Sequence, residues 1–263
     1  MLADKKIGII GIGNMGGAIL DGILAGGIAP AQVFVYDKDS VRVSQASARG
    51  VQAVQSVKDV AVNCDVVILA VKPGQIVPAI KEAHSQSLFV SVAAGVTVAD
   101  MEAAGAGVRI IRTMPNTPAV VGEAMTAICG GSNTNDIDIK IVCEIFGLFG
   151  KIAVVDESLL EAVAGISGCA PAYVYMFIEA LADAGVLHGM SRKDSYTFAA
   201  QAVLGAAKMV LETGHHPGAL KDAVCSPGGA TIEAVAELER QGFRGTVIDA
   251  VDAAVCKAIA MKS

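Results

Sequence analysis

The run Ile7-Gly8-Ile9-Ile10-Gly11-Ile12-Gly13-Asn14-Met15-Gly16 sets three glycines in G-x-G-x-x-G spacing between a short apolar stretch and a helical pattern. Glycine is common in this chain, 29 of 263 residues, so the spacing alone is weak and its context carries the weight. Gly11 permits a tight strand-to-helix turn, Gly13 lets backbone approach a pyrophosphate, and Gly16 allows the helix to close on the strand. The helix start that follows offers free N–H groups and positive partial charge to an anion. These features predict a dinucleotide turn built from Gly11, Ile12, Gly13, Asn14, Met15 and Gly16.

The rest of the first 156 residues repeats this strand–helix rhythm. Continuous apolar runs at Lys6–Ile10, Val33–Tyr36, Val66–Ala70, Phe89–Val92, Arg109–Thr113 and Lys151–Val155 read as strands. Helical spacing occupies Met15–Ala25, Ser40–Ala48, Gly74–Ala83, Val98–Ala103 and Ile137–Phe149. Strands apolar on both faces and separated by helices predict an α/β fold, a doubly wound, mostly parallel Rossmann sheet. Val51–Val54 reads as a further short strand and Ala124–Ile128 as an extra edge strand. After Asp156 strands disappear, and long helical runs follow at Ala172–Leu187, Asp194–Glu212, Thr231–Gln241 and Thr246–Ala260. The expected division is therefore 1–156 for the dinucleotide-binding domain and 157–263 for an all-α domain. Ala172–Leu187 carries charge only at Glu179 and Asp183, four apart and on one face. A helix so apolar is buried on most sides, which predicts that these helices pack against a second copy of the chain.

Asp37, closing the second strand, lies roughly 20 residues beyond the glycine turn, where an acidic side chain accepts hydrogen bonds from the adenosine ribose. That favours NADH, although Asp37 is also a plausible helix cap. Lys38 and Arg42 stand near enough in sequence to meet a 2′-phosphate, so NADPH stays open. Ligands of such sheets sit beyond the carboxyl ends of the strands. Three segments fall there: Ala70-Val71-Lys72-Pro73, Ala93-Ala94-Gly95 and Met114-Pro115-Asn116-Thr117-Pro118. Of these, Ala70, Val71, Lys72, Pro73, Ala94, Gly95 and Asn116 complete the expected cofactor set. The two prolines either stiffen a loop against a flat ring or merely end the strand.

Composition narrows the partners. Apolar residues make up 53% and charged residues 17%, with a net charge of −6 and no run of lysine or arginine. Neither nucleic acid nor an anionic membrane is an expected partner. The apolar stretch 7–29 is interrupted by Asn14, Asp21 and its glycines, so it is no membrane span. The N-terminus runs directly into a strand without a signal-peptide pattern. Six scattered cysteines with no CxxC pair predict reduced thiols, no metal site and a cytoplasmic enzyme.

In the helical half, Ser226-Pro227-Gly228-Gly229-Ala230-Thr231 precedes a helix. Two glycines at a helix start expose backbone N–H groups, with a hydroxyl at either end, and would hold a small carboxylate. A simply capped helix start accounts for the same residues. Together with Gly168-Cys169-Ala170-Pro171-Ala172-Tyr173 and the run His216-Pro217-Gly218 through Leu220-Lys221-Asp222, these motifs resemble the pyrroline-5-carboxylate reductase family over nearly the whole chain.

The resemblance implies hydride transfer from NADPH or NADH to the C=N bond of 1-pyrroline-5-carboxylate, a small cyclic imino acid, giving L-proline. It implies a homodimer interlocked through the helical half, and in some members a homodecamer built as a pentamer of dimers. By the family pattern, Ser226, Gly228, Gly229, Ala230 and Thr231 hold the substrate with Val224 nearby. Thr231, Lys72 and Ser226 form the catalytic set, Thr231 bonding the ring nitrogen and Lys72 approaching the substrate directly or through water. A glutamate that some members carry is Gly214 here, and that contact is not transferred. Related hydroxyacid dehydrogenases use a lysine in a long interdomain helix; the corresponding stretch here has none through Leu187, against alcohol chemistry. A non-catalytic dinucleotide sensor would need no carboxylate pocket.

Overall fold

The computed structural model describes residues 1–261. Eight strands form one sheet in the order β3-β2-β1-β4-β5-β6-β7-β8. They are β1 (Ile7–Ile10), β2 (Val33–Tyr36), β3 (Gln52–Ala53), β4 (Val66–Leu69), β5 (Leu88–Ser91), β6 (Arg109–Met114), β7 (Ala124–Gly130) and β8 (Gly150–Val154). β1 to β6 are parallel in the order 3-2-1-4-5-6, the Rossmann order. Alternation along β1, β2, β4 and β5 feeds two separate cores, while Met114, Ala127 and Cys129 of β6 and β7 join a third with Leu160 and Ala164. Ile7, Ile9, Val33, Val35, Val66 and Ile68 pack on one face with Ile19, Ile23 and Phe146. Ile10, Val67, Leu69 and Phe89 pack on the other with Val60, Ile76 and Ile80. Side chains of successive residues point to opposite faces, so burial on both sides explains why these strands are apolar throughout.

Helices α1 (Asn14–Ala25), α2 (Ser40–Ser47), α3 (Val57–Asn63), α4 (Ile76–Ala83), α5 (Val98–Glu102) and α6 (Asp136–Gly147) connect the strands. Asp39 caps α2, Ser56 caps α3, and Asn135 with Asp138 forms a capping box at α6. α3 was not foreseen; three of its seven residues are valines, which weakens a helical signal.

One strand expectation needs correcting. Ala124–Ile128 is not at an edge: β7 lies between β6 and β8, and the edges are β3 and β8. The link from β6 contains only a short 3-10 turn, Thr117–Val121. That is too short for a parallel crossover, so β7 returns antiparallel, with Met114 opposite Ala127.

The chain forms two compact units, Met1–Cys169 together with the stretch from Ala254, and Ala170–Ala253. In the first, β8 leads into α7 (Leu160–Val163) and a π-helical turn, Ala164–Gly168. The second holds α8 (Ala170–Leu187), α9 (Arg192–Thr213), α10 (Pro217–Ala223) and α11 (Ala230–Arg240), and α12 (Phe243–Ala260) begins there. α8 and α9 pack closely: a Cβ on Gly185 would stand 2.7 Å from Ser195 Oγ. α10 lies outside the helical runs expected from the sequence; the ring Nδ1 of His216 caps it, accepting the Gly218 N–H at 3.0 Å. Residues 157–187 are long and apolar enough, by length and composition, to cross a membrane. The same stretch carries Glu161, which is buried and ion-paired.

Candidate active site

The glycine turn is fixed by its neighbours. Gly11 sits at φ +92°, and its N–H donates to Tyr36 O at 2.8 Å. A Cβ there would stand 2.6 Å from Ala70 O, and one on Gly16 only 2.0 Å from Gly11 O. Both positions therefore exclude a side chain. Gly13 differs: it caps α1 with ordinary dihedrals and without a side-chain bond, and its missing Cβ faces only the Nη1 of Arg42. The first N–H groups of α1 are thus left to an anion, with backbone approach open at Gly13.

Beside this turn lies a cavity of about 430 Å³ lined by Gly11, Gly13, Asp37, Arg42, Ala70 and Lys72, among others. It lies at the carboxyl ends of β1, β2 and β4, around the strand-order switch between β1 and β4, where such sheets bind ligands. Val71, Lys38 and Tyr36 also line it. Asp37 is engaged by the protein: Oδ2 accepts the Ile12 N–H at 2.6 Å and Oδ1 the Asp39 N–H at 2.9 Å. Lys72 precedes a 3-10 turn, Pro73–Gln75, with its side chain exposed. Ala94 and Gly95 form a turn after β5, with Gly95 at φ +79°, where a Cβ would press on Met261 O at 3.0 Å.

Asn116, expected at the cofactor, spends its amide on the protein. Oδ1 accepts the Met125 N–H at 2.9 Å, while Nδ2 donates to Ser167 O and Ser167 Oγ, both at 3.2 Å. Its side chain shapes the Met114–Pro118 loop and ties it to the π-helical turn.

In the helical unit, Gly228 lies at φ +65° and Gly229 donates to Ser226 O at 3.0 Å. Gly229 caps α11 without a side-chain bond. The Ser226 hydroxyl lies over Gly229, 2.3 Å from where a Cβ would be. The opening N–H groups of α11 have no side-chain cap, and Ser226 and Thr231 bracket the helix start in sequence. Val224, Ser226 and Thr231 are exposed on the single chain.

Sequence reasoning missed Arg112. This fully buried guanidinium on β6 donates from Nη1 to Glu157 and from Nη2 to Glu161, both at 2.9 Å. Glu157 also accepts the Val98 N–H at 2.8 Å, so the cluster ties α5 and α7 to β6. A charged residue within a strand gives no sign of distant partners. Cys64 offers no nucleophile: burial, seconded by the charge of Asp65, pushes its thiol up to about 12.

Fold and turn together define a dinucleotide-binding oxidoreductase of the Rossmann class with a helical second unit. Residues 157–261 match the family described as pyrroline-5-carboxylate reductase dimerisation, and residues 6–95 match the NADP oxidoreductase coenzyme F420-dependent family. The chain is 50% identical to the pyrroline-5-carboxylate reductase of Escherichia coli (strain K12), covering 94% of this chain and 95% of that one. It is 43% identical to the Arabidopsis thaliana pyrroline-5-carboxylate reductase, covering 95% and 92%. Among solved structures, it resembles Plasmodium falciparum pyrroline carboxylate reductase with NADP bound, at TM-score 0.88 and 35% identity over 99% of both chains. The chain belongs to the pyrroline-5-carboxylate reductase family.

Proposed function

We propose that this chain catalyses the NAD(P)H-dependent reduction of 1-pyrroline-5-carboxylate to L-proline, the final step of proline biosynthesis. The observation that carries this reading is the open start of α11: an uncapped helix flanked by two hydroxyls, suited to one small carboxylate. A dinucleotide sensor has no use for it. Relatives bearing the same enzymatic name over nearly the full chain supply the reaction class.

A bound nicotinamide cofactor supplies the hydride that the imine carbon accepts. An iminium is already electrophilic, so the protein chiefly orients the partners and excludes water. Gly11, Ile12, Gly13, Asn14, Met15 and Gly16 receive the pyrophosphate, with Ala70, Val71, Lys72, Pro73, Ala94 and Gly95 along the strand ends. Asn116 contributes by holding its loop in shape. Ser226, Gly228, Gly229 and Ala230 take the substrate carboxylate with Val224 beside them, Thr231 hydrogen-bonds the ring nitrogen, and Lys72 serves the reacting end. In this reading residues 1–156 are the cofactor domain and 157–263 the substrate and dimerisation domain. The apolar faces of the helices meet a second copy rather than lipid, as a homodimer or a pentamer of dimers, in the cytoplasm.

The test is loss of nicotinamide absorbance when purified protein receives 1-pyrroline-5-carboxylate with NADPH or NADH. Turnover is expected, with kcat/KM falling about 10- to 100-fold in Thr231→Ala through loss of one transition-state hydrogen bond. Absence of turnover with both cofactors would overturn the reading.

A further inference from the structure

The turn after β5 has two buried feet and an apex with little of its own to hold it. Ala93 and Val96 are buried in the core that contains Val67 and Phe89. The Ala93 N–H donates to Ser91 Oγ at 3.3 Å, but the N–H groups of Ala94, Gly95 and Val96 find no partner among the described residues. Gly95, at the apex, stands at φ +79°, which glycine adopts at little cost and leaves as easily. A segment with so few bonds keeps one shape only if something packs against it.

The end of α12 does so. From Ala254 onward this helix belongs to the sheet unit. Ala258 packs on the cluster of Met114, Ala127, Cys129, Leu160 and Ala164, which anchors the helix beside the end of β6. Three residues on, the main chain of Met261 lies over Gly95: a Cβ on Gly95 would stand 3.0 Å from Met261 O and 3.5 Å from its carbonyl carbon. The Met261 N–H donates to Lys257 O at 3.1 Å and Ala258 O at 3.3 Å, closing the last turn and fixing that carbonyl. The side chains of Ile259, Ala260 and Met261 are exposed, so the backbone makes the contact. One turn of helix thus braces the segment after β5 from an anchor at Met114, where the loop after β6 begins.

We propose that residues 258–261 are a strap that positions the turn Ala93-Ala94-Gly95 at the reacting end, an inference that rests on the reductase reading above and deepens it. The strap touches neither cofactor nor substrate and acts through the shape of the turn. The test compares the full chain with a form ending at Lys257 and with the double variant Ile259→Gly, Ala260→Gly. The double variant changes only exposed side chains and loosens the last helical turn, so it serves where the shorter form fails to fold. One readout is kcat at saturating cofactor and 1-pyrroline-5-carboxylate. It should fall about 10- to 100-fold, as a small misplacement of bound reactants does. The other needs no turnover: calorimetric binding of NADP+ against 2′-phospho-ADP-ribose, which lacks only the nicotinamide. NADP+ affinity should fall about tenfold through loss of a preorganised turn, with 2′-phospho-ADP-ribose affinity and melting temperature nearly unmoved. Unchanged kcat and NADP+ affinity, or equal weakening of both ligands, would overturn the proposal. A selective loss for NADP+ in a protein whose wild type does not turn over 1-pyrroline-5-carboxylate would support the strap and sink the reductase reading instead.

Discussion

The sheet unit and the helical unit are both rich in apolar residues, yet they use them oppositely. Every residue of β1, β4 and β5 is buried within the sheet unit, which closes hydrophobic cores of its own. Among the 84 residues Ala170–Ala253, only Ala182, Ser195 and Ala199 are buried. Met176 and Phe198 are each 69% exposed and Leu187 82%. An apolar helix surface that its own unit leaves bare calls for another surface to cover it. The difference shows that hydrophobicity alone does not locate a core; whether the chain itself supplies the opposing layer does.

The most direct way to break this contrast is to charge the bare helices. Met176→Glu with Phe198→Glu should weaken self-association by at least about 100-fold, since buried interface anchors are worth roughly 2 kcal/mol or more apiece. Sedimentation would show a smaller particle; an unchanged mass would mean these faces stay uncovered. Within the sheet unit the largest expected effect comes from Arg112. Arg112→Ala leaves Glu157 and Glu161 without their buried cation and should cost about 3–5 kcal/mol in urea unfolding. A loss near zero would mean that water or rearrangement satisfies both acids. Next is a contrast between two glycines of one turn. Gly11→Ala, at positive φ and against Ala70 O, should destabilise the ligand-free protein by about 2–4 kcal/mol. Gly13→Ala meets little in the free protein, so it should keep the melting temperature and lose dinucleotide affinity by about tenfold or more. Equal melting losses in both would contradict the assignment of Gly13 to ligand approach.

The same contrast explains what could be read from sequence. Ile7–Ile10, Val33–Tyr36 and Val66–Leu69 announce themselves because a strand sealed on both faces must be apolar throughout. The glycine turn is legible because three separate steric demands fall at fixed spacing. Interactions that bind distant segments are not legible: Arg112 finds its glutamates 45 and 49 residues away, and Asp37 finds Ile12 25 residues back. The reversal of β7 followed from the length of one connection, which an apolar run does not encode. In the helical unit the helices α8 and α9 were visible, but the glycine-rich turn at Ser226–Thr231 stood out chiefly by its resemblance to a family. A glycine-rich helix start has a bland reading on physical grounds alone.

The smallest expected effect sharpens the comparison at the base of the sheet, where charge supports packing. Asp65 joins the start of β1 to that of β4. Burial pushes its carboxyl up, but the Lys6 N–H at 2.9 Å and the Lys5 ammonium at 3.1 Å outweigh burial and hold it below its ordinary 3.8. A carboxyl lowered in the folded state stabilises the protein above its unfolded pKa, and that contribution fades as pH falls through the folded value. The loss therefore begins just below pH 3.8 and deepens with further acid. Asp65→Asn should cost under about 1 kcal/mol at neutral pH, because the pair is largely solvated. Its unfolding midpoint should converge with that of the wild type as pH drops below 3.8. A gap that stays constant between neutral pH and that acid limb would mean that Asp65 acts by shape and hydrogen bonding rather than by its charge.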